Sequence, residues 1–393
     1  LQGLTAILFP DQGAYRPGAL TALRQRSAAS AWALERISVA AEGRLDPLLS
    51  DDPGRSAGEL ADADPGLLQL AIFAASVATW AANEGGVPAG SVMLGHGLGE
   101  IAALTCAGGY SVADGTRIVL ARNEALAQLG PWRGGMVALS LDASRAAAAI
   151  RLVDDPTLAV ASMNAPTQTV ISGSDLALSK LADLARGIDV DCTRLEAPYA
   201  LHGPLMARAV EPFQAELAGI RPGPLLHRVY SPLLGRYVLD NDDLGGLLVE
   251  QFLSPVNLLG AIQDLSIHGV RNYIECGVGR TTIGLARQCI PVAHASTWDD
   301  EAPVATDEAP AGGAGGGSLA VAPPSTLLDG AATGRPERVD ASAAGAVDTA
   351  VRRASGTPLA PVLAPPARGG APFPTAGRFT AGPVPGSICL PAR

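Results

Sequence analysis

From Leu4 to about Arg133 the chain alternates short apolar runs with helix-patterned stretches, and this alternation limits the fold more than any other feature. Thr5-Ala6-Ile7-Leu8-Phe9 reads as a buried strand stopped by Pro10-Asp11-Gln12-Gly13. Ser91-Val92-Met93-Leu94 reads as a second strand, stopped by Gly95-His96-Gly97-Leu98-Gly99-Glu100. A helical stretch, Pro65 to Glu84, lies between them. Strands separated by helices require right-handed crossovers, hence a parallel sheet that holds ligands beyond the carboxyl ends of its strands. Both loops then fall on one rim.

From about Gly135 to Leu195 the rhythm changes. The pattern predicts strand (Met136 to Leu141), helix (Ala143 to Arg151), strand (Thr157 to Met163), strand (Gln168 to Gly173), helix (Asp175 to Arg186) and strand (Ile188 to Leu195). That βαββαβ order is the ferredoxin-like pattern and reads as a small inserted subdomain. Residues 196 to about 297 return to the larger unit, with a strand at Arg271–Cys276. Beyond Trp298 the chain is more than half Ala, Gly and Pro, with Phe373 and Phe379 as its aromatics. Such a composition buries too little apolar surface to offset the entropy of ordering, so 299–393 is expected to be a linker or disordered tail.

A formal charge of -10 without any Lys/Arg block argues against nucleic acid or an anionic membrane as partner. The apolar stretch Leu67 to Ala82 reads as too short, and too polar at Gln69, to span a bilayer. Cys106, Cys192, Cys276, Cys289 and Cys389 have neither C-x-x-C spacing nor an even count, so no zinc site, disulfide framework or other metal is expected. A reducing cytoplasm fits. Residue 1 is Leu rather than Met, so the chain is expected to be a fragment, a processed product or a domain of something longer.

Several stretches taken together resemble the malonyl-CoA:acyl-carrier-protein acyltransferase family, which includes the acyltransferase domains of polyketide synthases. They are Phe9-Pro10-Asp11-Gln12-Gly13-Ala14, Gly95 to Glu100, Asn164-Ala165-Pro166 with Val170 to Gly173, Tyr199 to Met206, and Gln251 with Ser254-Pro255-Val256. The resemblance covers residues 4 to about 297. It implies an α/β fold: a parallel-sheet, hydrolase-like large subdomain (1–134 and 196–298) with an inserted ferredoxin-like small subdomain (135–195). It also implies no bound cofactor, malonyl-CoA or methylmalonyl-CoA as substrate, and phosphopantetheine on an acyl carrier protein as acceptor. A ketosynthase or other domains of the same megasynthase are implied neighbours.

By the same resemblance His202 is the catalytic base, and the Gln12 and Leu98 backbone amides form the oxyanion hole, worth about 3 kcal/mol for each donor. Gln251 resembles the residue whose backbone carbonyl orients that histidine. Arg122 matches the arginine that forks onto the carboxylate of a malonyl-type substrate. Asn164 resembles a residue of the pocket wall, and His96 and Tyr199 belong to the substrate-binding motifs. Leu98 leans towards malonyl-type members, whereas Tyr199-Ala200-Leu201-His202 lies nearer the methylmalonyl-type Tyr-Ala-Ser-His.

Two positions depart from the family pattern. Asp11 stands where glycine is usual, a residue that tolerates a left-handed backbone but puts a carboxylate near a developing oxyanion. Gly97 stands at the position of the nucleophilic serine, so acyl-serine formation there is impossible. Thr105 and Cys106 lie about 12 Å of helical rise beyond it. Three readings fit: an acyltransferase that has lost turnover, a domain that uses its pocket differently, or an altered or misread sequence. The function expected is thus malonyl-type acyl transfer, impaired at its nucleophile; the alternative is a non-catalytic acyl-CoA-binding, carrier-binding or structural domain. Restoring the oxygen by Gly97→Ser is expected to regenerate an acyl-enzyme. A dinucleotide loop is disfavoured, because the third glycine of G-x-G-x-x-G falls on Glu100.

Overall fold

A computed structural model describes residues 3–50, 55–130, 134–291 and 293–298. The segment 299–393, expected to be a linker or disordered tail, lies outside the described residues. In chain order the first elements are β1 (Leu4–Phe9), α1 (Ala19–Arg26), α2 (Ala28–Ala40), α3 (Ala57–Ala63), α4 (Pro65–Asn83), β2 (Val92–Gly95), α5 (Gly99–Cys106) and α6 (Val112–Ala127). There follow β3 (Gly135–Leu139), α7 (Ala143–Val153), β4 (Ala159–Ala165), β5 (Gln168–Gly173), α8 (Asp175–Gly187) and β6 (Cys192–Arg194). The last group is α9 (Ala207–Leu217), β7 (Arg228–Ser231), β8 (Arg236–Tyr237), α10 (Leu244–Glu250), α11 (Leu258–Ile267), β9 (Val270–Glu275), α12 (Thr281–Cys289) and β10 (His294–Thr297).

The larger sheet runs β10-β9-β1-β2-β7-β8, parallel except for the antiparallel edge strand β8. Its central strand β1 is buried from Thr5 to Phe9. Because side chains alternate across a strand, Ile7, Phe9 and Met93 pack into one core, with the helices around α4. Ala6, Leu8, Val92 and Leu94 pack into the other, against α11 and α12. Helices on both faces explain why both strands read as continuous apolar runs. The smaller sheet, β4-β5-β3-β6, is antiparallel throughout, and α7 and α8 cover it over a third core. Its chain order is the βαββαβ order read from the sequence.

Three local expectations change. The last strand of the smaller sheet is Cys192–Arg194 rather than Ile188 to Leu195, because α8 continues to Gly187 and turns at Ile188. Asp11 has φ -102 and ψ -161, an extended backbone, so its position makes no left-handed demand. Finally, α4 is by length and apolarity sufficient for a bilayer span, contrary to the reading from its sequence. Every residue from Leu67 to Trp80 is nonetheless buried in the protein core. Asp64 caps it by accepting from the Leu67 amide, with Pro65 in its first turn, where a missing N–H is harmless.

Candidate active site

The loop between β2 and α5 is locked by backbone contacts. The His96 amide donates to the Phe9 carbonyl at 2.9 Å, Gly99 to His96 at 2.8 Å and Glu100 to Gly97 at 3.0 Å. A Cβ on Gly99 would overlap the Phe9 carbonyl oxygen and stand 2.6 Å from its carbon, so β1 and α5 approach too closely for any side chain there. Gly97 sits at φ +51, the strained left-handed geometry of a nucleophile elbow, which glycine adopts without penalty. All of α5 behind it is buried. The turn between β2 and α5 therefore has the elbow conformation, with a glycine at its apex.

The place that a side chain at residue 97 would occupy is taken by Asp11 from across the rim. A Cβ on Gly97 would overlap Asp11 Oδ2 and come within 2.8 Å of its Cγ. Asp11 Oδ1 is buried without a protein partner. The carboxylate charge reaches His202, His96 and Arg122, favouring the protonated form of each. Asp11 thus places a negative charge at the centre of the site.

His202 is buried, with φ 59, a conformation uncommon for a residue with a Cβ. Two bonds to the end of α10 hold it: its Nδ1 lies 2.6 Å from the Gln251 carbonyl oxygen, and the next amide, Gly203, donates to the Phe252 carbonyl at 3.0 Å. A carbonyl only accepts, so Nδ1 carries the proton and Nε2 keeps its lone pair. Gln251 is itself fixed by its side-chain amide, which donates to Glu100 Oε2 in the first turn of α5. Elbow, histidine loop and α10 are thereby tied in one triangle.

Burial pushes the His202 imidazole down to about 4; the Asp11 charge and the Gln251 bond oppose this, and the Arg122 and His96 charges reinforce it. His202 is accordingly neutral and able to accept a proton over the physiological range. Burial pushes the Glu100 carboxyl the other way, to about 7, offset in part by hydrogen bonds from Ser231 and Gln251. The two act on stability with opposite sign. Neutral His202 contributes stability that is present above 6.5 and is lost as pH falls towards about 4. The Glu100 contribution is present below 4.5 and is lost as pH rises through about 7. His202→Gln should therefore gain stability relative to the parent as pH drops from 6.5 to 4, by on the order of 3 kcal/mol. Melting curves of both proteins across that range measure it; a constant difference would mean that His202 titrates normally.

Arg122 on α6 is buried, donates to Gln69 Oε1 on α4 and lies 5.6 Å from the Phe252 ring centre. Burial lowers its proton affinity, while the Asp11 and Tyr199 charges support it. Gln69 Nε2, beside it, is a buried donor without a protein partner. His96 Nε2 lies 2.9 Å from Asn164 Oδ1, which also accepts from Ser162 Oγ at 2.5 Å, and Asn164 Nδ2 donates to Gln168 at 3.1 Å. A cavity of about 720 Å³ opens between the two sheets, lined by Asp11, His96, His202, Asn164 and Gln168 among others. Its volume is that of a small-molecule pocket.

The structure thus brings Gly97, His202, Gln251, His96 and Asn164 together with Asp11. Leu98 opens α5 as its N-cap, and Gln12 begins a single turn, 12–14, on the facing loop. Arg122 and Tyr199 are buried nearby but are not part of the cavity lining. Sequence reasoning missed three participants: Gln69 as the partner of Arg122, Glu100 as the anchor of Gln251, and the reach of Asp11 into the Gly97 seat. Two of these contacts join residues 53 and 151 positions apart, with no local signal. The orphaned atoms of Gln69 and Asp11 are equally invisible in sequence.

Comparison with known proteins agrees with this architecture. The family described as acyl transferase domain matches residues 17–263. The spectinabilin polyketide synthase system protein NorA' of Streptomyces orinoci is 31% identical over 284 residues, which are 70% of this chain but 8% of that protein. The crystal structure of the acyltransferase domain from the second module of the salinomycin polyketide synthase superposes with a TM-score of 0.67 at 27% identity, covering 76% of this chain and 69% of that one. A type II PKS acyl-carrier protein in complex with its malonyl-transacylase (PlMCAT:AntF) gives a TM-score of 0.67 at 26% identity, covering 75% of this chain and 94% of that one.

Proposed function

Because this chain belongs to the acyl transferase domain family, we propose that it binds a malonyl-type acyl thioester of CoA and meets a carrier protein's phosphopantetheine, but no longer transfers the acyl group through a seryl ester. One observation carries the reading: Gly97 stands at φ +51 in the turn between β2 and α5, with the Asp11 carboxylate in the space that a side chain there would need. Without an oxygen at residue 97 the usual two-step exchange has no first step. The base and the buried cation remain. The complex of a malonyl-transacylase with its acyl-carrier protein among the structural relatives supports the choice of partner.

Arg122 selects the substrate class in this reading, since a guanidinium fork distinguishes a carboxyacyl from a plain acyl group. Malonyl-CoA is expected to bind at least about tenfold more tightly than acetyl-CoA, a charge-assisted bond being worth roughly 1.5–3 kcal/mol. Arg122→Ala should erase the difference. Titration calorimetry of both ligands against both proteins reads this directly, and equal affinities in the parent would assign Arg122 to the core alone.

A further inference from the structure

We propose that the domain hydrolyses CoA thioesters directly, a water molecule held between the Asp11 carboxylate and His202 Nε2 making the attack that a seryl oxygen would otherwise make. This rests on the preceding reading that no ester forms at residue 97. Three observations meet here. Asp11 Oδ2 would overlap a Cβ on Gly97, so the acidic oxygen stands beside the place from which a side chain there would present a nucleophile. Asp11 Oδ1 is buried without a protein acceptor or donor. Asp11 is also the foremost charged influence on His202, whose Nδ1 is committed to the Gln251 carbonyl and whose Nε2 is therefore the free acceptor.

The step balances without an added reagent. The water oxygen bonds to the thioester carbon while one of its protons passes to His202 Nε2 and the other stays hydrogen-bonded to Asp11. Collapse of the tetrahedral intermediate breaks the carbon–sulfur bond, and the departing sulfur takes the proton back from His202. The products are the free carboxylic acid and the CoA thiol. Asp11 orients and polarises the water but forms no bond to the acyl group. Its charge opposes the oxyanion, so turnover is slow beside that of a serine enzyme; Arg122 offsets part of that repulsion through its own charge.

The test uses the full chain with malonyl-CoA in H₂¹⁸O, following thiol release with a chromogenic thiol reagent and the label by mass spectrometry. Expected are steady thiol release, ¹⁸O in malonate and none in the protein, and a loss of about a hundredfold or more in each of Asp11→Asn and His202→Ala. The isosteric Asp11→Asn keeps the shape of the loop, and its melting temperature, with Asp11→Gly as a second variant, separates chemistry from folding. Release that Asp11→Asn leaves unchanged would overturn the proposal. So would ¹⁸O in the Asp11 peptide, which marks a carboxylate nucleophile, or binding of malonyl-CoA with no release. That last outcome leaves the preceding reading standing, whereas an acyl adduct on the protein would remove both.

Discussion

Gly97→Ser alone is expected to give little acyl-enzyme with malonyl-CoA, whereas Gly97→Ser combined with Asp11→Gly gives a stoichiometric seryl ester, formed about a hundredfold faster. The reason is steric and electrostatic. A Cβ at residue 97 overlaps Asp11 Oδ2, so a lone serine must first drive the carboxylate out of its seat. Wherever the carboxylate then lies on that rim, it faces the oxyanion that attack creates, and loss of a single stabilising donor there already costs roughly 10² to 10³ in rate. Removing Asp11 clears both obstacles. His202→Ala in the double variant should abolish ester formation, because the seryl proton then has no acceptor. Serine at φ +51 adds strain of roughly 1–3 kcal/mol, so the double variant melts below the parent. Intact mass after timed mixing reads the ester. A lone Gly97→Ser that acylates as fast as the double variant would show Asp11 to be a bystander.

The largest stability loss is expected at Gly99. Its added Cβ would overlap the Phe9 carbonyl oxygen and stand 2.6 Å from the Phe9 carbon and 2.8 Å from the Pro10 oxygen, all of them backbone. No side chain can turn aside. Either the β1–α5 approach widens, stretching the 2.9 Å bond from His96 to Phe9, or α5 shifts within its buried surroundings. Gly99→Ala should cost about 3 kcal/mol or more, the upper end of overpacking penalties. A fall of several degrees in Tm by calorimetry would register it. Gly187→Ala, with nothing within 4 Å of the added atom, is the matched control at the end of α8 and should leave Tm nearly unchanged. Equal melting of the two variants would mean that the elbow is looser than described.

Strongly patterned elements were legible because their burial is two-sided or strictly periodic. The apolar runs at Thr5–Phe9 and Val92–Leu94 are buried strands, and the smaller sheet follows the order that its alternation predicts. Three strands were not legible: β8 has two residues, and β7 and β10, though as long as β2, begin on an exposed Arg228 or His294 and mix polar with apolar residues instead of forming an apolar run. In the site, local motifs pointed to His202, Gln251 and Asn164; His202 is bonded to the Gln251 carbonyl, and His202 and Asn164 line one cavity. The displacement of the Gly97 seat by Asp11 was not legible, since it depends on the distance between two loops on neighbouring strands. The sequence offers Gly97→Ser as the rescue, with Asp11→Gly as the companion change where serine alone fails; the overlap of a residue-97 Cβ with Asp11 Oδ2 makes the double variant the expected one.

Whether the native elbow forms any acyl-enzyme is the most direct test of the whole account, and intact mass spectrometry of the unmodified protein incubated with excess malonyl-CoA measures it. An unchanged mass at every time point is expected, under conditions in which Asp11→Gly with Gly97→Ser gains one malonyl group. A stoichiometric, hydroxylamine-labile malonyl adduct on the native chain would contradict it.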